Sequence, residues 1–266
     1  MLTSTSTPQC RRSRRGWLRA VLPFVLGVTG CGMGATGSRT ELHVAAAADL
    51  RLALEELARL FERAHGVQVV PVFGSSGMLA QQIQQGAPFD IFLSADEQFV
   101  TQLVRRGHVR ADSVRAYATG RLAVVVRRGL GITTPVLEDL VRPAVRRVAM
   151  ANPEHVPYGR AARQALERSG LWSQVQPRLV LGENISQALQ FVQTENADAG
   201  LVAVSLLTGS SLPWTLVDQR LHTPLRQVGG ILHGARGPRA GEFLEFILSG
   251  QGQAVLARYG FEPPGS

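Results

Sequence analysis

Leu42-His43-Val44-Ala45-Ala46-Ala47-Ala48-Asp49-Leu50, running on through Arg51 to His65, is the stretch whose reading decides the fold. Leu42 to Ala47 is a short apolar run, and Leu50, Leu54, Leu57 and Phe61 then recur at helical spacing until Gly66 closes the stripe. That is a strand followed almost at once by a helix. Outward from it the same alternation continues. Val67 to Phe73 predicts a strand, Met78 to Gln85 a helix, Phe89 to Leu93 a strand, and Glu97 to Arg106 a helix stopped by Gly107. Leu122 to Val126 is a β-branched run that leaves this first sheet. Arg147 to Ala151, Arg178 to Leu181 and Gly200 to Val204 are strand candidates, with helices at about Gly159 to Ser169 and Ser186 to Glu195. Gln227 to Leu232 predicts a last strand, followed by helices at Gly241 to Leu248 and Gln253 to Tyr259. Short connections between such units imply parallel sheet with helices on both faces. Because the second half repeats the pattern of the first, the fold class is α/β, two sheets in two lobes meeting at a cleft. The lobes are expected to comprise 41–120 with 226–266, and 121–225.

The composition narrows the chemistry. Of 266 residues, 28 are basic and 20 acidic, a formal charge of +8, and every base is Arg. Without Lys there is no P-loop lysine and no lysine Schiff base. Five of the arginines fall in residues 1–30, which contain no acid, so the rest has 23 bases against 20 acids. The basic charge therefore belongs largely to a leader and does not point to nucleic acid.

Residues 11–19 are Arg-rich, Ala20 to Val28 is apolar, and small residues follow, the layout of an export signal. Val28-Thr29-Gly30-Cys31 resembles a lipoprotein lipobox, which makes Cys31 the expected lipidation site and 1–31 the signal. Cys10 leaves with the signal and no Cys follows Cys31, so no disulfide is expected in the mature protein. Ser13-Arg14-Arg15-Gly16-Trp17-Leu18-Arg19 also resembles a twin-arginine signal, leaving Sec or twin-arginine export open. Residues 32–40, small and Gly-rich, form a tether from lipid to domain.

In open α/β sheets, strand-to-helix junctions collect at the carboxyl edge and present helix N-termini to the crevice. Four junctions here are small or polar: Ala45 to Asp49, Phe73-Gly74-Ser75-Ser76-Gly77, Asn152 to Gly159, and Gly182-Glu183-Asn184-Ile185-Ser186. Asp49, Ser75, Ser76 and Asn184 are each good N-caps, so a purely structural role is open to all four. Two junctions in each half, facing one cleft, make a cage of neutral donors for a small oxyanion. Hydrogen bonds to an ionised partner contribute about 1.5 to 3 kcal/mol each, so five to seven exceed the ~8 kcal/mol of a micromolar site without any counter-charge. A hydrolase built on Ser76 is the alternative from another class, but Gly74-Ser75-Ser76-Gly77 is not a Gly-x-Ser-x-Gly elbow. The six His are scattered, with no paired metal-ligand spacing, and Glu154-His155 is expected to be a solvated turn. No catalytic residue, metal cation or cofactor is expected.

These residues carry a resemblance. Ala45 to Leu50, Phe73 to Gly77, Gln85-Gly86-Ala87-Pro88-Phe89-Asp90-Ile91-Phe92-Leu93-Ser94-Ala95-Asp96, Asn152-Pro153-Glu154-His155-Val156-Pro157-Tyr158-Gly159 and Arg258-Tyr259-Gly260-Phe261 resemble the periplasmic molybdate-binding proteins of ABC importers, in unbroken order over about 41–262. The resemblance implies a two-lobed periplasmic-binding-protein fold, with molybdate or tungstate held in the cleft by uncharged donors. It implies that Ser76 offers hydroxyl and N–H, Tyr158 its N–H and phenol, and Ile185 an N–H. It also implies a permease and ATPase as partners, a monomeric protein in the periplasm or cell envelope, and no nucleic acid. The family's first contact, commonly a Ser, falls on Asp49, and a Tyr of some members falls on Ala203. A carboxylate 4 Å from even a unit anion is repelled by about 4 kcal/mol at an effective dielectric of 20. Asp49 is therefore expected either to turn back and cap its own helix, or to accept a proton from an oxyanion such as hydrogen phosphate. The second option keeps phosphate or sulfate open as the ligand.

Overall fold

The computed structural model describes residues 41–235 and 237–265. The export signal, Cys31 and the tether lie outside them. The chain opens with β1 (Glu41–Ala47), a 3-10 turn (Ala48–Leu50) and α1 (Arg51–His65), then β2 (Gln68–Gly74), α2 (Ser76–Gln84), β3 (Ile91–Ser94), α3 (Glu97–Arg105) and β4 (Arg115–Gly120). After Arg121 come β5 (Leu122–Val126), β6 (Val148–Ala151), α4 (Pro157–Arg168), α5 (Trp172–Val175), β7 (Leu179–Gly182), α6 (Ile185–Gln193), β8 (Ala199–Ala203) and β9 (Trp214–Leu216). The chain then closes with β10 (Leu225–Ile231), α7 (Arg239–Leu248) and α8 (Gly250–Arg258). Among the described residues no helix is long and apolar enough to cross a membrane.

Two five-stranded sheets result, in the orders β2-β1-β3-β10-β4 and β7-β6-β8-β5-β9. Strand β1 shows why the first is covered on both faces. Leu42, Val44 and Ala46 join the core under α1, α7 and α8, whereas Ala45 points into the core under α2 and α3. A strand buried on both sides reads as a continuous apolar run, as this one does. The second sheet packs around Val124, Met150 and Leu201, with Ala162 of α4 and Leu189 of α6 in the same core.

The sheets are mixed and not purely parallel, which corrects the expectation from sequence. Strand β1 is parallel to β2 and β3, and β6 to β7 and β8. Strand β10 runs antiparallel to β3 and β4, and β5 antiparallel to β8 and β9. The reason lies in the crossings. β5 is where the chain arrives in the second sheet from β4, and β10 is where it returns to the first from β9. An arriving strand starts at the cleft, where the parallel strands end, and so runs against them.

Two polar clamps hold this arrangement. At the crossing, Thr119 and Glu262 exchange main-chain hydrogen bonds of 2.8 and 2.9 Å, and Arg121 pairs with the Glu262 carboxylate, so the C-terminal segment pins the first connection. Far from the cleft, buried Asp198 accepts from Arg127 Nε at 2.9 Å and from the amides of Arg146 and Arg147 at 2.9 and 3.0 Å. Burial alone raises the Asp198 pKa, but the Arg127 hydrogen bond and the two amides outweigh it and hold the group below its ordinary value. The cluster ties together the ends of β5, β6 and β8. Asp198→Ala strips the acceptor from a partly buried guanidinium and two amides. It should lower unfolding free energy by roughly 2 to 4 kcal/mol in urea denaturation, with an unchanged m-value.

Candidate functional site

All four residues expected at the site line one cavity. Its walls are Ala47 to Asp49 after β1, Gly74 to Ser76 after β2, Ala95 after β3, Val156 to Tyr158 after β6 and Ile185 after β7. Both sheets contribute, each through the carboxyl ends of its parallel strands. The cavity is small, far below the ~300 to 1,000 Å³ of sites for organic ligands. A larger hollow shares Ala95 and Pro157 but opens onto ion-paired Asp96, Arg160, Glu97 and Arg226 at the surface.

The donors are set by local sequence. Ser75 is the N-cap of α2, its Oγ accepting from Met78 N at 3.2 Å. That leaves Ser76 as the first helical residue, and its Oγ accepts from Ala95 N at 3.0 Å, so its hydroxyl hydrogen is uncommitted. Asn184 caps α6 by accepting from Gln187 N at 3.0 Å and places Ile185 first in that helix. Pro157 starts α4 and has no N–H, so Tyr158 supplies that helix's first amide. First-turn amides have no intrahelical partner, and three helix N-termini therefore turn partial positive charge toward one small space. Asp49 and Tyr158 are the only ionisable groups in the lining. Among the described residues no group of three His, Cys, Asp or Glu is placed to hold a metal ion.

Across the cleft the two halves are stitched by polar contacts. Gly77 N donates to His155 O at 3.1 Å, Ser186 Oγ to Ala48 O at 3.0 Å, and Ser205 Oγ to Asp49 O at 2.7 Å. Gly77 has to be glycine because a Cβ there would stand 2.8 Å from His155 O. Glu154 and His155 lie in a turn, as expected from sequence, with Glu154 exposed and His155 half-buried. Its Nε2 lies 3.3 Å from Glu183 O and 3.7 Å from the Glu183 carboxylate, which bridges the α4 and α6 junctions.

Asp49 departs from the first of the two options expected for it. It caps nothing: neither the 3-10 turn nor α1 has a side-chain N-cap bond. The carboxyl is 1% exposed, and Oδ2 accepts from Gln227 Nε2 at 2.7 Å. The Gln227 side-chain oxygen in turn accepts from the Tyr117 hydroxyl at 3.1 Å. A fully buried Gln on β10 outcompetes the helix amides because it removes one carboxylate oxygen's need for water. Oδ1 has no hydrogen-bond partner, and neither has the Tyr158 hydroxyl, which lies against Gly120 beside Gln227. The hydroxyl acts on the carboxyl without a bond of good geometry between them. Burial pushes the Asp49 pKa up from 3.8 to about 6, the Tyr158 hydroxyl, Gln227 and the amides of Asp49 and Leu50 offsetting part of the rise. Burial, then the Asp49 charge, holds Tyr117 and Tyr158 well above the usual phenol range. Ala203 ends β8 opposite Leu122 and does not line the cavity. Sequence reading missed Gln227, Tyr117, Ser186 and Ser205. The only signal for Gln227 was a polar residue at the head of the apolar run from Val228 to Leu232.

Residues 42–262 match the family of bacterial extracellular solute-binding proteins. The chain belongs to that family. It is 34% identical over 250 residues to the molybdate-binding protein ModA of Azotobacter vinelandii, covering 91% of this chain and 96% of the relative. It is 32% identical over 237 residues to the molybdate-binding protein ModA of Rhodobacter capsulatus, covering 86% and 91%. The solved periplasmic molybdate-binding protein of Azotobacter vinelandii superposes with a TM-score of 0.79 at 28% identity, covering 84% of this chain and 99% of that one. The family comprises solute-binding proteins and not enzymes, and it works outside the cytoplasm. The hydrolase reading of Ser76 therefore falls.

The Asp49 carboxyl links stability to pH. Its folded pKa of about 6 lies above the unfolded value, so its contribution is complete below about pH 4 and lost as pH rises through about 6. The loss amounts to about 3 kcal/mol in the ligand-free protein. Relative to Asp49→Asn, wild-type unfolding free energy should fall by that amount between about pH 3 and pH 7, measured by urea denaturation.

Proposed function

We propose that the protein captures molybdate, and tungstate on the same geometry, and delivers it to the permease and ATPase of an ABC importer. One observation carries the reading: three helix N-termini and the free hydroxyl hydrogen of Ser76 converge, from both sheets, on one small cavity with no cationic side chain in its lining. Such a space suits a tetrahedral dianion that brings its own charge and needs only donors. Ser76 donates its hydroxyl and N–H, and Tyr158 and Ile185 donate their amides. Asp49 completes the wall. In this reading 41–120 with 226–266 form one lobe and 121–225 the other, and the ligand bridges them. The names of the relatives support molybdate as the oxyanion. The leader supports export by the Sec or twin-arginine route and a lipid anchor at Cys31, with the protein acting as a monomer in the periplasm or cell envelope.

Binding to the native state alone raises stability by RT ln(1 + [L]/Kd), about 2.7 kcal/mol at a hundredfold excess over Kd. A thermal-shift series across molybdate, tungstate, sulfate and phosphate should therefore show the largest rise with the first two. A rise with phosphate or sulfate alone would keep the oxyanion site and replace the ligand. Ser76→Ala removes one hydroxyl donor to a buried charge and should weaken molybdate binding tenfold to a hundredfold by isothermal titration.

A further inference from the structure

Asp49 is a buried carboxyl at the wall of an anion site, with one oxygen bound by Gln227 and the other, Oδ1, without a partner. Among the described residues nothing positive faces it. In the second half of the chain, α6 (Ile185–Gln193) has no charged residue, and the turn after β8 gives only the Ser205 hydroxyl, spent on Asp49 O. From α4 comes the Tyr158 hydroxyl, also without a partner, while Arg160 on that helix is paired with Asp96. In the first half, α2 (Ser76–Gln84) has no charge, β4 gives Tyr117, and β10 gives Gln227. Arg51, two residues on, lies over the Phe73 ring at 4.5 Å, and Arg121 is held by Glu262. His155 is engaged with Glu183. A dianion entering this cavity meets an ionised carboxylate with no cation to neutralise it.

We propose that oxyanion capture is proton-linked: Asp49 takes up one proton from solvent as the ligand enters, and the new Oδ1–H becomes a donor in the cage. The inference rests on the oxyanion reading above. The balance is simple. Water or buffer gives up the proton, Oδ1 gains it, and the oxyanion remains a dianion. Neutralisation removes the repulsion and converts the one anionic acceptor in the wall into a donor, giving the unpartnered Oδ1 something to bind. The empty protein is poised for it, because burial already holds the carboxyl at about 6, and a second negative charge can only raise it.

The test is isothermal titration of the full chain with sodium molybdate in two buffers of different ionisation enthalpy, over a pH range from about 6 to about 8.5. At about pH 7 the buffer dependence should report an uptake of about 0.9 proton per ligand. The association constant should fall up to tenfold for each pH unit above about 6. Asp49→Asn should lose both the uptake and the slope, whatever its affinity, while Asp112→Asn, on the exposed surface, keeps both. Binding with equal heats in the two buffers and no slope would overturn the proposal and leave the ligand reading intact. Uptake that persists in Asp49→Asn would overturn it by assigning the proton elsewhere. No binding of molybdate or any other oxyanion would overturn the ligand reading and this inference together. If Asp49→Asn fails to fold, the wild-type proton count and slope still decide.

Discussion

The first amides of a helix have no partner inside it, and a buried space where three such ends meet is tolerable only if something negative or well hydrated fills it. The rest of the architecture serves that constraint. Parallel strands deliver their helices to one edge, and two sheets turn those edges toward each other, so α2 from one sheet and α4 and α6 from the other reach the same cavity. Caps consume the amides that would otherwise compete: Ser75 takes that of Met78 and Asn184 that of Gln187. What is left over points inward. Pro157 belongs to the same logic, because a residue without an N–H at the start of α4 makes Tyr158 the first donor there.

Gathering donors from two bodies makes the site a device for joining them. Gly77, Ser186 and Ser205 already stitch main chain across the cleft at 3.1, 3.0 and 2.7 Å, using neutral groups that can exchange protein partners for water at small net cost. A ligand held by both halves favours the joined arrangement only through contacts it makes there and loses elsewhere. The crossing strands fit that use. Among the described residues two connections link the sheets, and one is pinned by Glu262 from the C-terminal segment.

The parts of this legible from sequence are those encoded locally. The run from Leu42 to His65, the glycines flanking Ser75-Ser76, and the Asn184 junction each announce strand, cap and helix within a few residues, and the structure gathers Asp49, Ser76, Tyr158 and Ile185 at one cavity. What was not legible depends on partners far away in the chain. Strand β4 (Arg115–Gly120) and three-residue β9 have weak local patterns and exist because β10 and β5 pair with them. The antiparallel direction of β5 and β10 follows from where the chain crosses, which no periodicity records. Gln227 stands 178 residues from Asp49, so nothing local competes with the reading of Asp49 as an N-cap.

That misreading shows what the carboxyl is for. An N-cap Asp sits in solvent-accessible geometry, is stabilised by the helix dipole and stays ionised. Had Asp49 capped α1, it would have spent its charge on that helix and left the cavity neutral. By giving one oxygen to Gln227 and leaving the other dry, the fold instead raises the pKa and makes the carboxyl's charge conditional. A serine at this position would donate to an anion at any pH. An aspartate donates only when protonated, and protonation is cheapest when a negative ligand is beside it. The wall is thus complementary to the filled cavity more than to the empty one, which is the condition under which a ligand shifts a conformational equilibrium.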